Sequence, residues 1–456
     1  MALSRVFVAN RGEIALRVVR AAQGLNLETV VGVSDADRGS AAAQLADRAL
    51  VLGPGPAAKS YLDAMLVVQA AKASGCDALH PGYGFLSERA ELARLCEQHG
   101  IIFVGPEPDM IDALGDKLRA REMAAAAGVP LVPGSGEIAS AGDARRLADK
   151  LGYPVLLKAA AGGGGRGMVI VAGPAEIEAG YHRASAEAQA AFNDGTLFME
   201  RFVPLARHVE VQLVGDGKGE VIHFGERDCS VQRRYQKVIE EAPCVAMPAK
   251  LRGELHAAAV GLAKSVNYRN AGTCEFLYDV LRAEVYFIEV NARIQVEHPV
   301  SEMVTGRDLV QEQLRIASGE GLSVKQQDVV LTGHAIECRI NAEDTTRDFV
   351  PVPGTVTRWV PPEGEGIRLD SHISEGAVIP PFYDSMIGKL IVHAENRDRA
   401  IAKMADALNN FTVEGVPTTI PLHRTILASE AFQSNNFHTR WLEQDLFAAQ
   451  AQVADA

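Results

Sequence analysis

Apolar and polar positions alternate with two different periods in the first part of this chain, and the switch between them marks the first elements. "RVFVAN", "ETVVGVS", "CDALHPGYG" and "GIIFVGP" are short runs with a strand-like pattern. Between the first two lies "GEIALRVVRAAQGL", apolar at the three- and four-residue spacing of a helix. Short strands separated by helices predict a parallel sheet with crossovers. Beyond "DKLRAREMAAAAGVPLVPG" comes a glycine-rich stretch at 162–167, followed by strand patterns to about residue 290 and a helix-rich stretch at 301–319. The last section opens with "GHAIECRINAED" and includes the helical pattern "NRDRAIAKMADALNN". No internal repeat or low-complexity linker divides these parts, so close packing between them is expected.

The segment 286–299, "YFIEVNARIQVEHP", changes character part-way. Counting by twos gives Glu289, Asn291, Arg293, Gln295 and Glu297, with Val290, Ala292, Ile294, Val296 and His298 between them. In extended chain each set shares a face. A half-solvated antiparallel strand alternates this way, but Glu and Asn are poor strand formers, and here they follow a run that reads as buried. The preceding "GTCEFLYDVLRAEVYFIEVN" reads as a hairpin with its turn near Asp279–Ala283. Centred near Arg282, that hairpin sets Glu275 opposite Glu289. Like charges in that position oppose sheet formation. Two carboxylates and the Asn291 amide become favourable around a hard divalent cation, and magnesium takes such a set together with phosphate oxygens. Eight extended steps from Glu289 to Glu297 would span roughly 27 Å, too far for one small site. A bend after Asn291 is therefore expected.

Other stretches carry chemistry less specifically. "PVLLKAAAGGGGRGM" runs a strand lysine, Lys158, into Gly162–Gly165 and Arg166. Glycines let backbone N–H groups approach an anion; alone the run is a weak signal that a flexible turn also explains, but after a strand lysine and before an arginine it reads as a lid that closes over phosphates. It lacks the lysine-serine or lysine-threonine ending of a Walker loop. "RHVEVQLVGDG" puts His208, Glu210 and Gln212 on one face, which a solvated strand explains as well as a ligand site does. "ERDCSVQRRYQKVIEEAP" gathers Arg227, Arg233, Arg234 and Lys237, and "AIECRIN" puts Glu337 and Arg339 on one face. The first strand–helix turn, "ANRGEIA", has one glycine and no dinucleotide fingerprint, so Arg11 and Glu13 read as structural or interface residues.

Composition narrows the classes. The 456 residues are 47% hydrophobic and 23% charged, ordinary globular material of about three domains. Lys plus Arg is 45 against 58 Asp plus Glu, a net charge of −13, which argues against a nucleic-acid partner. The six cysteines have no C-x-x-C spacing, so free thiols are expected and a zinc site is not. No apolar run reaches the roughly 18 residues of a membrane span. With "MALSRVFVAN" entering a strand directly, a cytoplasmic protein with no membrane partner is expected.

Taken in order, "VANRGEIALRV", "HPGYGFLSE", "GDK", "GGGGRGM", "RHVEVQ", "ERDCSVQRR", "EEAP", "RIQVEHPVSEM", "GHAIECRINAED" and "YDSMIGK" resemble biotin carboxylase, the ATP-grasp component of biotin-dependent carboxylases, over nearly the whole chain. The resemblance implies an α/β protein, α+β in part. It would have a Rossmann-like N-terminal domain at 1–114 and an ATP-grasp domain at 115–317 with a mobile glycine-rich lid at about 131–203. A C-terminal α/β domain would follow at 332–446. The implied reaction uses MgATP and bicarbonate to carboxylate biotin carried by a separate biotin carboxyl carrier protein, through carboxyphosphate. Carboxyltransferase subunits would complete the complex, acetyl-CoA carboxylase first among the candidates. Lys117, Lys158, Gly164 and Gly165 would then contact ATP phosphates. Glu200, Arg201, Phe202 and Val203 would surround the adenine, with His208 and Tyr235 near the nucleotide. Glu275, Glu289 and Asn291 would hold two magnesium ions, with manganese as a substitute. Lys237, Arg293, Gln295 and Val296 would bind bicarbonate, Glu297 would deprotonate it, and Arg339 would stabilise the biotin enolate. Two positions depart from the family, which usually has His at Tyr235 and Thr or Ser at Ala292. No Met-Lys-Met biotinylation hairpin occurs, and Lys403 in "AKMAD" reads as helix surface. A homodimer is expected, with Arg17 on the first helix pointing to the interface.

Overall fold

In the computed structural model, which describes residues 3–161 and 167–449, the expected alternation in the first hundred residues is a five-stranded parallel sheet. Its strands run in the order Arg48–Gly53, Glu28–Ser34, Arg5–Val8, Ala78–His80 and Ile102–Phe103. The helix Gly12–Gly24 buries Ile14, Ala15, Val18, Val19 and Ala22, the face its apolar spacing predicted. Arg11 is indeed structural: its Nε lies 2.9 Å from Asp37 Oδ2, and its guanidinium covers the Tyr383 ring. Arg17 does not face outward. It is buried and paired with Glu302 at 2.8 Å and Asp308 at 2.7 Å. A guanidinium on an otherwise apolar helix face needs partners once covered, and it finds them inside the chain.

Residues 134–201 build a separate small layer. Strands Gly134–Glu137, Leu197–Arg201, Val155–Ala159 and Met168–Val171 form an antiparallel sheet. Helices Ala141–Leu151 and Ile177–Phe192 pack on it, around a core of its own containing Val155, Leu157, Val169, Ile177 and Met199. This corresponds to the expected lid. Gly164 and Gly165 lie outside the described residues.

The remainder is organised by one eight-stranded sheet. Its order is Glu284–Asn291, Arg269–Asp279, Ala206–Asp216, Val221–Arg233, Gln236–Ala242, His334–Asn341, Met386–Ala394 and Ile367–Ser371. Strand Gln236–Ala242 pairs with His334–Asn341, so the sheet runs on without a break from the second expected domain into the third. Its first half shares apolar cores with the parallel sheet. Its far half closes with the helices Arg397–Asn409 and Ile420–Ala428 over a third core. Lys403 sits on the first of these helices, where its Nζ donates to the Glu365 and His393 carbonyls. All six cysteines are free and buried. No described helix is long and apolar enough to cross a membrane.

Candidate active site

The hairpin Arg269–Asp279/Glu284–Asn291 places Glu275 opposite Glu289, as the sequence predicted. The turn is in fact centred half a residue earlier. A register shift between Glu275 and Phe276 then adds Ile288 to the second strand and restores the predicted pairing. The strand ends at Asn291 and the chain bends. Glu297 reaches the start of the helix His298–Thr305. The bend brings Arg293, Gln295, Val296, Glu289 and Asn291 to the wall of one cavity of about 620 Å³.

Other elements complete that wall. The helix Lys117–Ala126 contributes Lys117, whose Nζ lies 3.8 Å from Glu289 Oε2. The lid sheet contributes Lys158 and Glu200, and the connection after it Phe202 and Val203. Arg201 also lines the cavity while its Nη2 donates to Tyr286 Oη at 2.5 Å. Glu200 is buried and accepts from Lys158 Nζ at 3.0 Å and from Arg121. His208, Lys237 and Arg339 line the cavity from three strands of the large sheet. Tyr235 stands at its edge, 44% exposed, in a two-residue turn. Both turn residues, Arg234 at φ 47° and Tyr235 at φ 65°, adopt left-handed backbone, as the twist of a tight hairpin demands. Arg234 and Arg233 both reach Asp348, which ties down that tip. Ala292 is buried.

At the centre, charges interlock. Lys237 Nζ lies 2.6 Å from Glu210, 3.1 Å from Glu275 and 2.5 Å from Glu297. Arg339 Nη2 donates to the other Glu297 oxygen at 2.9 Å. Burial pushes Glu297 up, but Lys237, Arg339 and Arg227 outweigh it and hold this carboxyl well below its ordinary value. Glu275 is likewise lifted by burial and then brought down further by Lys237 and His208. His208 Nε2 lies 2.9 Å from Glu275 Oε2; burial disfavours its charge, yet Glu275 leaves its pKa raised. Lys117 moves the opposite way, pulled down by burial and by Lys158 against the attraction of Glu289. Arg293 Nε lies 3.0 Å from Glu88, and its Nη1 donates to Gln295 Oε1 at 2.9 Å. Lys389 Nζ holds the Val296 carbonyl at 2.7 Å.

Sequence reading left several participants unassigned. Glu210 and Arg227 are fully buried, and Arg227 Nε donates to Glu210 Oε1 at 2.5 Å behind Lys237. Arg121, Glu88 and Lys389 were also not predicted. The alternation of "RHVEVQ" marked Glu210 as sharing a face with His208, but a period-two pattern does not show whether that face meets water or protein.

As a cation site, Glu275, Glu289 and Asn291 fit on their donor chemistry. They offer hard oxygens beside Lys117 and Lys158, and two carboxylates facing each other across a strand pair are relieved by a cation. Among the described residues, His208, Glu210 and Glu275 also converge closely enough to share an ion. Lys237 already occupies the Glu210–Glu275 side of that group.

Three family models match the chain end to end. They are the biotin carboxylase N-terminal domain at residues 2–111, the carbamoyl-phosphate synthase L chain ATP-binding domain at 116–325, and the biotin carboxylase C-terminal domain at 337–444. Biotin carboxylase 1 of Bacillus subtilis is 48% identical over 97% of this chain and 98% of its own. The chain belongs to the biotin carboxylase family. It has the mixed α/β ATP-grasp fold and is an ATP-grasp ligase with the biotin carboxylase activity of a biotin-dependent carboxylase. Among solved structures, a Campylobacter jejuni biotin carboxylase bound to β,γ-ATP superposes with a TM-score of 0.94 at 44% identity, covering 96% of this chain and 98% of that one. The biotin carboxylase domain dimer of Hydrogenobacter thermophilus 2-oxoglutarate carboxylase, holding MgADP, ADP and bicarbonate, gives 0.93 at 45% identity, covering 97% and 98%.

Proposed function

We propose that this chain uses MgATP and bicarbonate to carboxylate biotin on a separate carrier protein, through carboxyphosphate, giving carboxybiotin, ADP and phosphate. The observation that carries this reading is the buried Glu297 carboxylate, gripped by Lys237 and Arg339, two cations that line one cavity with Lys117, Lys158, Glu275 and Glu289. Lys117 and Lys158 neutralise the nucleotide's phosphates, while Glu200 to Val203, His208 and Tyr235 surround the rest of it. Glu275, Glu289 and Asn291 hold magnesium, which would screen phosphate charge during transfer. Lys237, Arg293, Gln295 and Val296 seat bicarbonate. Glu297, kept ionised by its neighbours, takes the bicarbonate proton and leaves an oxyanion to attack the terminal phosphorus. Carboxyphosphate then breaks down to carbon dioxide and phosphate, the phosphate takes the ureido proton, and Arg339 stabilises the resulting enolate while its nitrogen captures the carbon dioxide. The lid 131–203 closes over the nucleotide and keeps water from carboxyphosphate.

The acceptor complex we propose is acetyl-CoA carboxylase or a related acyl-CoA carboxylase, with a biotin carboxyl carrier protein and carboxyltransferase subunits as partners and a homodimer as the working form. The 2-oxoglutarate carboxylase relative, equally similar, makes a 2-oxo acid the alternative acceptor. The deciding experiment is ADP release with magnesium and bicarbonate, with and without free biotin. Stimulation by biotin that requires bicarbonate is expected; ATP cleavage indifferent to both would sink the reading. Adding purified carrier and transferase subunits with acetyl-CoA or 2-oxoglutarate then separates the two acceptors.

A further inference from the structure

Behind Arg339 lies a feature that the reaction described above does not use. The strand pair Gln236–Ala242/His334–Asn341 sets Glu240 directly opposite Glu337, and both side chains are fully buried. Glu240 Oε1 accepts from Arg339 Nε at 2.6 Å. Its Oε2 and both oxygens of Glu337 have no hydrogen-bond partner among the described residues. Neither residue lines the cavity. Two ionised carboxylates in this position would repel each other in a poorly screened interior and leave three acceptors empty. A single proton between them turns one acid into the donor that the other lacks, and removes half the charge.

The groups facing this pair leave room for that arrangement. Lys389, from the neighbouring strand, is committed to Glu13 at 3.1 Å and to the Val296 carbonyl at 2.7 Å. Arg339, on the same strand as Glu337, divides its guanidinium between Glu240 and Glu297. Lys237 and Arg227 are held by Glu210. The helix His298–Thr305 packs on this face with His298 and Glu302, and Glu302 is paired with Arg17 and Arg368. Burial lifts both Glu240 and Glu337 above the ordinary carboxylate value; Arg339 and Lys389 pull back without restoring it.

We propose that Glu240 and Glu337 share one proton and together act as a positioning pair for Arg339. With one negative charge, the pair anchors Nε and shares Nη2 with Glu297, so that the guanidinium stays at the cavity wall beside the biotin site. With two, it would draw the guanidinium away from the cavity. This inference rests on the assignment of Arg339 to biotin made above.

Two measurements on the full-length protein test it. The first is infrared difference spectroscopy at neutral pH. The carbonyl stretch of a protonated buried carboxyl is expected in the wild type and absent from Glu337→Gln; its absence from the wild type overturns the proposal whatever the enzyme carboxylates. The second is biotin-dependent ADP release from about pH 6.5 to about 9.5. An amide at 337 supplies the same donor without a titrating proton. Glu337→Gln should therefore keep biotin-dependent kcat/KM within about threefold at neutral pH and lose the alkaline decline. Glu337→Ala should raise the KM for biotin about tenfold, with a smaller change for bicarbonate. A tenfold or larger loss in Glu337→Gln at neutral pH overturns the shared proton. Equal losses in both variants with the wild-type alkaline limb retained reduce the pair to packing. If Glu337→Ala does not fold, the pH profile of Glu337→Gln decides alone. A wild type that biotin does not stimulate refutes the functional reading, and the infrared result still stands or falls by itself.

Discussion

Glu297 is the residue on which the proposed chemistry turns, and it is gripped by positive charge on both oxygens. Glu297→Gln removes the proton acceptor but keeps the shape. Bicarbonate-dependent turnover should fall by about 10² to 10³, with ADP affinity by calorimetry little changed; undiminished turnover would refute the base assignment. A second buried acid serves stability instead. Glu241 is lifted by burial, but His334 at 2.8 Å and Arg397 at 2.7 Å bring it from 4.5 to about 2. Its folded value lies below the unfolded one, so this contribution is complete above pH 4.5 and disappears as pH falls toward 2. Arg397→Ala should cost about 3–5 kcal/mol at neutral pH and flatten the acid arm of a plot of Tm against pH. At this scale the acids and bases of "NARIQVEH" were legible because their alternation breaks a strand that otherwise reads as buried. Arg227 and Glu210 were not legible as a buried pair. A buried ion pair inside a sheet and a solvated strand face have the same period, and only the third dimension separates them.

The lid is the element that stands most apart. Its core residues Val155, Leu157, Val169 and Met199 touch one another rather than the three larger cores. An element with its own core and few shared apolar contacts opens at lower free energy than the body it covers. Backbone amides of 134–201 should exchange with deuterium faster than those of 206–242, and ADP with magnesium should slow the lid selectively. Uniform exchange with no nucleotide effect would count against a closing lid. A separate layer here was expected as a lid, but its sheet order was not legible, because its strands pair out of sequence. The neighbouring hairpin shows another limit of sequence. Glu275 was placed opposite Glu289 by assuming a symmetric turn, yet the pairing depends on the bulge at Ile288. No residue type at Ile288 announces a bulge, since the chain needs only one extra residue there to turn both carboxylates toward the same cavity.

At the scale of the molecule, the three family-model segments are units of sequence more than of folding. Ile239 and Glu240 pair with Cys338 and Glu337 across the boundary between the second and third segments, and Arg397 reaches back from the far helix to Glu241. Close packing of the parts was expected from the sequence, but the shared sheet was not legible there, since strand pairing over about a hundred residues leaves no local trace. It has a direct consequence. A chain ending at Gly333 would leave the strand Gln236–Ala242 as a bare edge, uncover the apolar face carrying Val231 and Ile239, and strand Glu241 without His334 or Arg397, both of which hold it in the full chain. Such a fragment should be insoluble when produced alone, while the full chain outside the lid melts in one cooperative transition by calorimetry. A soluble, cooperatively folded 1–333 fragment would show that the large sheet is two stable halves joined at an interface. Arg339 on one half and Lys237 on the other would then meet only when the halves dock, and Glu297 would depend on that docking for both of its charges.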